Sequence, residues 1–347
     1  MLKISEITSK NDWDHFLIGI KHYDFYHTFD YHQIAKNEND LAVLLTYKKG
    51  DLVIGFPIVI RNIPETTYYD ATSVYGYCGP IVNKNIEDFN NEEFIENLNE
   101  YFKNKNIVSV FSRLNPFIEN QNLILNSYGE IVLQGKLVNI DITASADVQH
   151  HNFQNRLRTH INKSRRNCIV KKATTKEEIL EFIDIYYENM KRVDAASFYF
   201  FSTDYFFSLI ASKSFETEVL LAFDKETNKS IGGSIFIKTN KIIQYHLSGT
   251  KNEYLHLMPS KLLIDEMRIQ GTEQKYEVFN LGGGLGGSNE DSLFRFKSSF
   301  SKCFKDFEIW KLVINQSVYN ELVKKQGLIN MINDINFFPL YRYSEHS

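Results

Sequence analysis

The stretch of this chain best suited to chemistry is a glycine-rich turn followed by a short helix that carries one lysine. The turn reads FNLGGGLGGS at residues 279–288, and the segment after it, residues 291–300, contains Lys297. Glycine adopts positive φ at little cost and lets a bound group approach the backbone closely. A hydrophobic strand that turns through glycines into an amphipathic helix therefore predicts a ligand site at the end of a sheet strand.

Two nucleotide-binding motifs compete for this turn. Gly282, Gly284 and Gly287 fit the G-x-G-x-x-G pattern of a dinucleotide loop that follows a strand. Asp291, at the start of the next helix, would repel a pyrophosphate and disfavours that interpretation, but binding of a nucleotide sugar stays open. The P-loop is excluded because no Gly-Lys-Ser/Thr follows the glycines.

Length and composition set the broad class. The chain has 347 residues and 43% hydrophobic content, which is enough for two domains with real cores. The N-terminus lacks an apolar signal core and no run approaches the roughly 18 apolar residues of a membrane span, so we expect a cytoplasmic protein. The three cysteines are far apart, which predicts reduced and mostly buried thiols. We expect no metal site, because the adjacent His150 and His151 would not face one ion from a helix or a strand.

Charge is unevenly distributed along the chain. The net charge of −4 and the pI near 6.2 argue against a dedicated nucleic-acid binder, yet residues 148–176 contain no acid. This basic segment predicts a helix that contacts phosphates of a substrate, a lipid surface or RNA, or else a solvated helix with weak surface ion pairs. The candidate tRNA contacts are Arg156, Arg158, Lys163, Arg165 and Arg166.

An internal repeat sets the architecture. A short helix after Asp-Tyr, a buried strand, a polar turn and a second strand occur at residues 29–61 and again at residues 203–238. Copies about 175 residues apart are too distant for a solenoid and indicate one α/β domain duplicated in tandem. In the second half, residues 176–192 form an amphipathic helix, and residues 276–281 form the strand that enters the glycine turn.

Several of these segments, in this order, resemble the Fem-type peptidoglycan-bridge aminoacyltransferases and the related acyltransferases built from GNAT-like domains. The resemblance extends over most of the chain, and its last element is the most specific. It is carried by the basic segment 156–170, the helix ending at Arg192, the strand 244–249, the helix start at Pro259 and Ser260, and residues 280–284 leading to Phe296-Lys297-x-x-Phe300.

The resemblance implies an α/β protein of two tandem GNAT-like (acyl-CoA N-acyltransferase) domains, with mixed sheets flanked by helices. The first domain would span residues 1–147 and be completed by residues 318–347, and the second would span residues 148–317 with the glycine turn and the FKxxF motif. By the same resemblance, Lys297 contributes to acyl transfer and Arg192 faces the substrate. The chain departs from simple GNAT enzymes in lacking the Gln/Arg-x-x-Gly-x-Gly/Ala loop that holds the pyrophosphate of acetyl-CoA.

Transfer of an acyl group to an amine needs a neutral amine, removal of a proton and stabilisation of the oxyanion. Lys297 is the candidate for charge stabilisation, unless it is a surface lysine. His246 is the candidate general base, or a core histidine bonded to backbone. Arg192 is suited to clamp a phosphate or carboxylate, or it caps the end of its helix.

Further residues are candidates for substrate binding. Asp70 lies in a tyrosine-rich stretch with Tyr75 and Tyr77, which suggests a polar and aromatic pocket for a sugar ring or an acceptor amine, although alternating tyrosines are as often packing. The remaining candidates follow from their position in or near the matching motifs. They are Tyr199, Tyr245, Ser260, Gly282, Gly283, Gly284 and Phe296.

The sequence thus predicts an N-acyltransferase that acts on an amine of a cell-envelope glycan or of a peptidoglycan or polysaccharide precursor. The donor would be a co-substrate, either acyl-CoA or aminoacyl-tRNA, and no cofactor would be tightly bound. Peripheral membrane contact is compatible with this prediction. The alternative is a nucleotide-sugar or glycan-binding protein with an inactive GNAT-like fold.

Overall fold

The computed structural model describes residues 4–285, 290–328, 330 and 335–343. Gly286, Gly287 and Ser288 of the predicted glycine turn lie outside these residues. The chain divides into two compact units, the first formed by residues 1–134 with 307–347 and the second by residues 135–306. The three cysteines are free thiols, of which Cys78 and Cys168 are buried and Cys303 is exposed.

Both units contain helices and strands. The strands are β1 (Ile4–Ile7), β2 (Leu41–Lys49), β3 (Leu52–Asn62), β4 (Tyr69–Thr72), β5 (Ile81–Val82), β6 (Ile107–Arg113), β7 (Glu130–Asp141), β8 (Cys168–Lys172), β9 (Glu216–Asp224), β10 (Ser230–Thr239), β11 (Ile242–Thr250), β12 (Val278–Gly282) and β13 (Cys303–Val313). The α-helices are α1 (Lys10–Ile18), α2 (Phe29–Ala35), α3 (Glu92–Asn104), α4 (Gln121–Leu125), α5 (Ala146–His151), α6 (Asn155–Asn167), α7 (Lys176–Arg192), α8 (Thr203–Ala211), α9 (Pro259–Glu273), α10 (Ser292–Lys297) and α11 (Gln316–Lys325). Short 3₁₀ helices occur at Phe25–His27, Ser197–Tyr199, Asn252–Leu257 and Leu340–Arg342.

The first unit is a mixed sheet in the order β1-β2-β3-β4-β6-β13, with β5 added to β3. Neighbouring strands are antiparallel except β4 and β6, which are parallel and are separated in sequence by α3. The inner face of α3 buries Phe94, Leu98 and Phe102 in the core of this unit, at the i, i+4 and i+8 spacing of an amphipathic helix.

The second unit is a mixed sheet in the order β7-β12-β11-β10-β9-β8. Its parallel pair is β11 and β12, joined by α9. Helix α7 begins with a capping box, in which Thr175 and Glu178 exchange hydrogen bonds with each other's backbone. The helix lies very close to β11 at Gly249. A Cβ on this residue would lie 2.7 Å from the carbonyl oxygen of Ile185. Glycine at position 249 is therefore required for this packing.

Both units repeat one order of elements. A helix precedes an antiparallel pair of strands, a third antiparallel strand follows, and a helix then leads to a parallel fourth strand. In the first unit these strands are β2, β3, β4 and β6, and in the second they are β9, β10, β11 and β12. The predicted class, α/β with mixed sheets flanked by helices in a duplicated arrangement, is confirmed.

The boundaries of the units lie at 134/135 and 306/307 instead of the predicted 147/148 and 317/318. The boundaries differ because of how two strands pair. The second half of β7 pairs with β12, and the second half of β13 pairs with β6. The first unit therefore contains the second half of β13, and the second unit contains the second half of β7. The predicted boundaries had assigned β13 to the second domain and β7 to the first. The assignment of GNAT-like domains to residues 1–147 and 148–317 stays a prediction.

Asp70 on β4 fastens the C-terminal segment to the first unit. Its Oδ1 accepts a hydrogen bond from Nε of Arg61 at 2.8 Å, and its Oδ2 accepts from Nε of Arg342 at 2.5 Å and from the hydroxyl of Tyr341 at 3.1 Å. The carboxylate is fully buried, whereas both arginines are partly exposed. Both carboxylate oxygens are thus occupied by donors from within the unit.

We expect Asp70→Asn to lower the free energy of unfolding of the first unit by about 3 kcal/mol, because two arginines lose their buried carboxylate. The fluorescence of Trp13 and Trp310 reports this unit alone, since these are the two tryptophans of the chain. Glu65→Gln is the matched control, because Glu65 pairs with Lys325 in an exposed ion pair. Equal urea midpoints for both variants would contradict a structural role for Asp70.

Candidate active site

The site begins where the parallel strands β11 and β12 stop pairing. Their register ends at Gln244 opposite Asn280. Asn280 is buried at this point, where its Nδ2 donates to Oε1 of Gln244 at 2.8 Å and its Oδ1 accepts from the backbone N–H of Gly282 at 2.9 Å. One amide side chain thereby joins the two strands and fixes the first residue of the turn.

Two glycines of the turn have a steric reason to be glycine. Gly282 has a φ of +79°, a conformation that residues with a Cβ rarely adopt. A Cβ on Gly283 would lie 3.0 Å from the carbonyl oxygen of Lys136 on β7. The turn therefore packs closely against β7. Because these two positions have no side chains, the main chain forms the surface of the turn there. Gly284 is partly buried, and the chain between residues 285 and 290 lies outside the described part.

Asp291 holds the turn to the helix that follows it. Its Oδ1 accepts from the backbone N–H groups of Leu293 and Phe294 at 2.6 and 3.0 Å, as an N-cap of α10. Its Oδ2 accepts from the N–H of Leu285 at 3.0 Å. One carboxylate thus connects both ends of the glycine segment and fixes where α10 starts.

Lys297, the last residue of α10, is buried with 9% of its surface exposed. Its Nζ donates a hydrogen bond to the carbonyl oxygen of Gly283 at 2.8 Å. Burial lowers the pKa of Lys297 from 10.5 to about 8, and the charge of Asp291 opposes this shift. The alternative of a surface lysine is excluded, and the residue has the perturbed, turn-facing environment typical of functional lysines.

Aromatic side chains surround α10. Phe296 is partly buried and meets Phe300 edge to face at 5.8 Å, and Phe300 meets Phe153 in the same way at 5.6 Å. Phe294 stacks on Phe304 at 5.6 Å. These contacts hold a helix of only six residues in place.

His246 is the extra residue of a β-bulge in β11. Opposite β10, the register passes from Leu247 directly to Tyr245, so no residue of β10 lies opposite His246 in the ladder. Its Nε2 forms a 2.8 Å hydrogen bond with the hydroxyl of Tyr205. Burial lowers the pKa of His246 to about 3, so the imidazole is neutral near pH 7. Such a pKa is poorly matched to general-base work at neutral pH, which favours the alternative of a hydrogen-bonded structural histidine.

Arg192 lies at the exposed end of α7. Its Nη2 donates to Oδ1 of Asn189 at 2.5 Å, and within the described residues no contact joins it to Lys297 or His246. This position fits the alternative of a helix-end cation. Its predicted role as a clamp for a substrate anion stays a prediction.

Three further candidates have hydrogen bonds of their own. Tyr245 donates from its hydroxyl to Oγ of Ser248 at 2.5 Å. Ser260, in the first turn of α9, shares a 2.8 Å hydrogen bond with the Oγ1 of Thr250. Tyr199 belongs to a 3₁₀ helix and accepts at its carbonyl from the hydroxyl of Tyr186 at 2.7 Å. Each of these contacts lies in the second unit, as do the glycine turn and Lys297.

Asp70, Tyr75 and Tyr77 have different recorded partners, and their predicted role in substrate binding stays a prediction. Asp70 is enclosed by the two arginines and Tyr341 described above. Tyr75 and Tyr77 follow the end of β4 and contact other aromatics. The carbonyl of Tyr75 accepts from Tyr31, and the ring of Tyr77 meets Tyr26 edge to face at 5.8 Å. The two tyrosines therefore lie in an aromatic cluster without that carboxylate.

The basic segment forms α6, and its cations differ in what they contact. Arg165 forms ion pairs with Asp265 and Glu266 of α9, both at 2.8 Å, and thus has a structural role. Arg158 donates to Asn155, and Lys163 donates to the carbonyl oxygen of His256. The described residues provide no ion-pair partner for the exposed Arg156 and Arg166, which keeps them as candidate phosphate contacts.

Sequence reasoning assigned no role in the site to the side chains of Asn280, His160 and Lys261, and it used Asp291 only as the start of a helix. The signal for Asp291 was present, since Asp before Ser-Leu-Phe is a typical N-cap. The contact between His160 and Lys261 joins residues about a hundred positions apart and left no local pattern. Within the described part of the chain, no group of three or more His, Cys, Asp or Glu side chains is arranged to hold a metal ion. No helix in the same residues is long and apolar enough to cross a membrane.

Comparison with known proteins gives the same fold. The sequence profile of the FemAB family matches residues 211–308, the segment from the start of β9 into β13. The structure is similar to the crystal structure of FemX, with a TM-score of 0.70 at 12% identity over 91% of this chain and 99% of that one. None of the curated proteins matches the chain.

Two further structures are similar over most of their length. One is the C-terminal domain of a putative lysylphosphatidylglycerol synthetase from Agrobacterium fabrum, with a TM-score of 0.55 at 12% identity, covering 92% of this chain and 97% of that one. The other is a tandem GNAT protein from the clavulanic acid biosynthesis pathway, without AcCoA, with a TM-score of 0.50 at 7% identity, covering 90% and 99%. The chain therefore has the fold of FemX and of the tandem GNAT protein, and part of its second unit matches the FemAB profile.

We expect Lys297→Met to leave stability at pH 7 unchanged or to raise it by up to about 2 kcal/mol. A lysine pKa lowered from 10.5 to about 8 corresponds to a cost of about 3 kcal/mol for the buried charge, partly offset by the hydrogen bond to Gly283. Because the unfolded chain binds more protons between these two pKa values, wild-type stability should rise relative to the variant from pH 8 to 10.5. Calorimetric unfolding measures both effects.

Lys302→Met is the control for this pH dependence, because Lys302 is an exposed lysine five residues further along. It should leave the pH dependence of unfolding unchanged. Marked destabilisation by Lys297→Met at pH 7 would instead identify Lys297 as a residue that stabilises the fold.

Proposed function

We propose that this FemAB-like chain is an N-acyltransferase that moves an acyl or aminoacyl group from an activated donor to an amine of a cell-envelope precursor. The acceptor class is the amine of a glycan or of a peptidoglycan or polysaccharide precursor. Because acyl-CoA and aminoacyl-tRNA are both made in the cytoplasm, the reaction is assigned to that compartment. The proposal therefore specifies a reaction, a class of donor and a class of acceptor.

The observation that carries the proposal is the buried Lys297 beneath the glycine turn. An ammonium with a pKa near 8 is charged at pH 7 but lies in surroundings from which water is largely excluded. In such surroundings a donor aimed at a developing negative charge is worth far more than in water. The residue lies within the segment, residues 211–308, that the FemAB profile matches.

The transfer step is direct in this proposal. The neutral acceptor nitrogen attacks the acyl carbonyl carbon and forms the amide bond, while the C–S bond of a thioester or the C–O bond of an ester breaks. The proton lost by the amine ends on the leaving thiol or hydroxyl. Lys297 stabilises the oxyanion or the leaving group, and its Nζ is held on Gly283 in the free enzyme. No covalent enzyme intermediate is required.

Two donors remain candidates for this step. The tandem GNAT fold is compatible with acyl-CoA, and the FemAB profile together with the cations of α6 favours aminoacyl-tRNA. Arg156, Arg158, Lys163 and Arg166 are the RNA contacts in this proposal, and Arg165 is removed from that set because two acids of α9 bind it. RNA binding would weaken steeply with salt, whereas binding of one CoA would do so less.

We expect Lys297→Met to lower kcat/KM by about 10²–10³-fold, the usual cost of removing one oxyanion donor. The assay offers acyl-CoA and aminoacyl-tRNA pools with UDP-linked muropeptide and amino-sugar acceptors, and mass spectrometry detects the new amide. Lys302→Met is the matched control and should retain full activity. Activity of Lys297→Met equal to that of the control would remove Lys297 from the mechanism.

The pH profile separates charge stabilisation from other roles of Lys297. We expect kcat/KM to decline as pH rises through about 8, because the ammonium loses its proton there. In Lys297→Arg the guanidinium stays charged, so any residual activity should persist to higher pH. A wild-type profile that is flat from pH 7 to 10 would contradict a catalytic ammonium.

A further inference from the structure

Three apolar side chains stay exposed at the rim of the glycine turn. Leu285, which follows the first glycines, exposes 68% of its surface, Leu293 in α10 exposes 42%, and Phe304 at the start of β13 exposes 36%. Isolated exposed apolar residues are ordinary on protein surfaces, whereas a contiguous group of them is typical of an interaction surface. We call these three residues the apolar rim.

The apolar rim is contiguous because one carboxylate and one pair of stacked rings join its members. Asp291 accepts from the backbone N–H of Leu285 at 3.0 Å and from that of Leu293 at 2.6 Å. The residue after Leu293 is Phe294, which is buried and stacks on Phe304 with ring centroids 5.6 Å apart. The three exposed side chains therefore belong to backbone segments that are joined around α10.

The apolar rim borders the candidate catalytic lysine. Nζ of Lys297 donates to the carbonyl oxygen of Gly283, two residues before Leu285. Helix α10 carries Leu293 in its first turn and Lys297 as its last residue. A partner that covers the apolar rim would therefore lie next to the glycine turn.

The segment after the turn is basic. Residues 292–305 contain four cations and no acid. Arg295 and Lys305 are exposed, and no carboxylate of the described residues pairs with either of them. Asp291, before the segment, is occupied by three backbone N–H groups, and Asp306 is the single acid directly after it. The surface around the apolar rim is therefore complementary to an anionic partner.

The size of the apolar rim favours a lipid surface over a protein. Its three side chains together expose roughly 250 Å², since a large apolar side chain has about 150–250 Å² in all. A stable protein interface buries about 800 Å² on each partner. A bilayer needs no matching surface, because apolar side chains enter the headgroup boundary while basic side chains stay among anionic headgroups. A small apolar patch with cations beside it suits that arrangement.

We propose that the apolar rim, together with Arg295 and Lys305, docks this protein on the surface of an anionic lipid bilayer. The expected peripheral membrane contact thereby receives a location. The inference deepens the proposed function, on which the identity of the acceptor rests: an acceptor amine carried on a membrane lipid would meet Lys297 at the level of the headgroups. Docking combines a small apolar attraction with an electrostatic one, so it is reversible and weakens with salt.

The experiment is co-sedimentation of the full chain with vesicles of equal parts phosphatidylcholine and phosphatidylglycerol. We expect saturable binding that salt weakens, and much weaker binding to phosphatidylcholine alone. Leu285→Ser should lower the partition coefficient about tenfold, because a leucine side chain is lost from the apolar boundary. Ile18→Ser is the matched control, since Ile18 has the same size and is 82% exposed, and it should change binding less than about twofold.

A tryptophan placed in the apolar rim locates the contact directly. The emission of Leu293→Trp should shift to the blue and be quenched by brominated lipid when vesicles are added, because the indole leaves water. The native Trp13 and Trp310 are fully buried and add a constant background. Ile18→Trp should show neither effect.

Absence of vesicle binding by folded wild type would overturn the proposal and would favour a protein as the partner of the apolar rim. Equal binding to neutral and anionic vesicles would also overturn it, as would equal losses in Leu285→Ser and Ile18→Ser. Vesicle binding without any transferase activity would count against the proposed reaction alone. Transferase activity on a water-soluble acceptor without vesicle binding would count against this docking surface alone.

Discussion

The burial of a charged lysine, Lys297, beneath a glycine turn is the constraint around which the candidate site is arranged. The Lys297 ammonium donates to the carbonyl of Gly283, in a turn that lies against β7, where a Cβ would come within 3.0 Å of the carbonyl oxygen of Lys136. Asn280 fixes the start of the turn and Asp291 fixes its end. The phenylalanines around α10 hold this short helix in place. A charge in such surroundings destabilises the fold. The contacts of the turn and of α10 nevertheless hold the ammonium in this position.

Most of the fold follows from local sequence signals. Helix α7 was predicted at residues 176–192 and has those bounds, because a capping box and a clean apolar face define it. The strands of the internal repeat, the helix beginning at Pro259 and the strand entering the glycine turn also follow from hydrophobic period and turn chemistry. The partners of β7 and β13 do not follow, since pairing between segments far apart in sequence leaves no local trace. The unit boundaries differ from the expected positions for that reason.

The site was predictable in part. The glycine turn and Lys297 are recognisable because glycine and lysine in that order have few structural explanations. The sequence could not show that Asp70 would meet Arg342, or that Arg165 would be neutralised by acids of α9, because these ion pairs join residues 272 and 100 positions apart. His246 was recognised as a titratable group on a strand. Its bulge, its hydrogen bond with Tyr205 and its burial are tertiary features, and burial is what lowers its pKa.

The most direct test of this account is an NMR pH titration of Lys297 in protein labelled at the lysine ε-carbon. The Lys297→Arg variant assigns the signal, because that signal is missing from its spectrum. The account predicts a pKa near 8 for this residue in the free protein, well below the usual lysine value of 10.5. It further predicts that a bound acyl donor changes that pKa, because the ammonium then faces the donor. A Lys297 that titrates with the surface lysines, and whose titration is indifferent to every donor, would contradict the central claim.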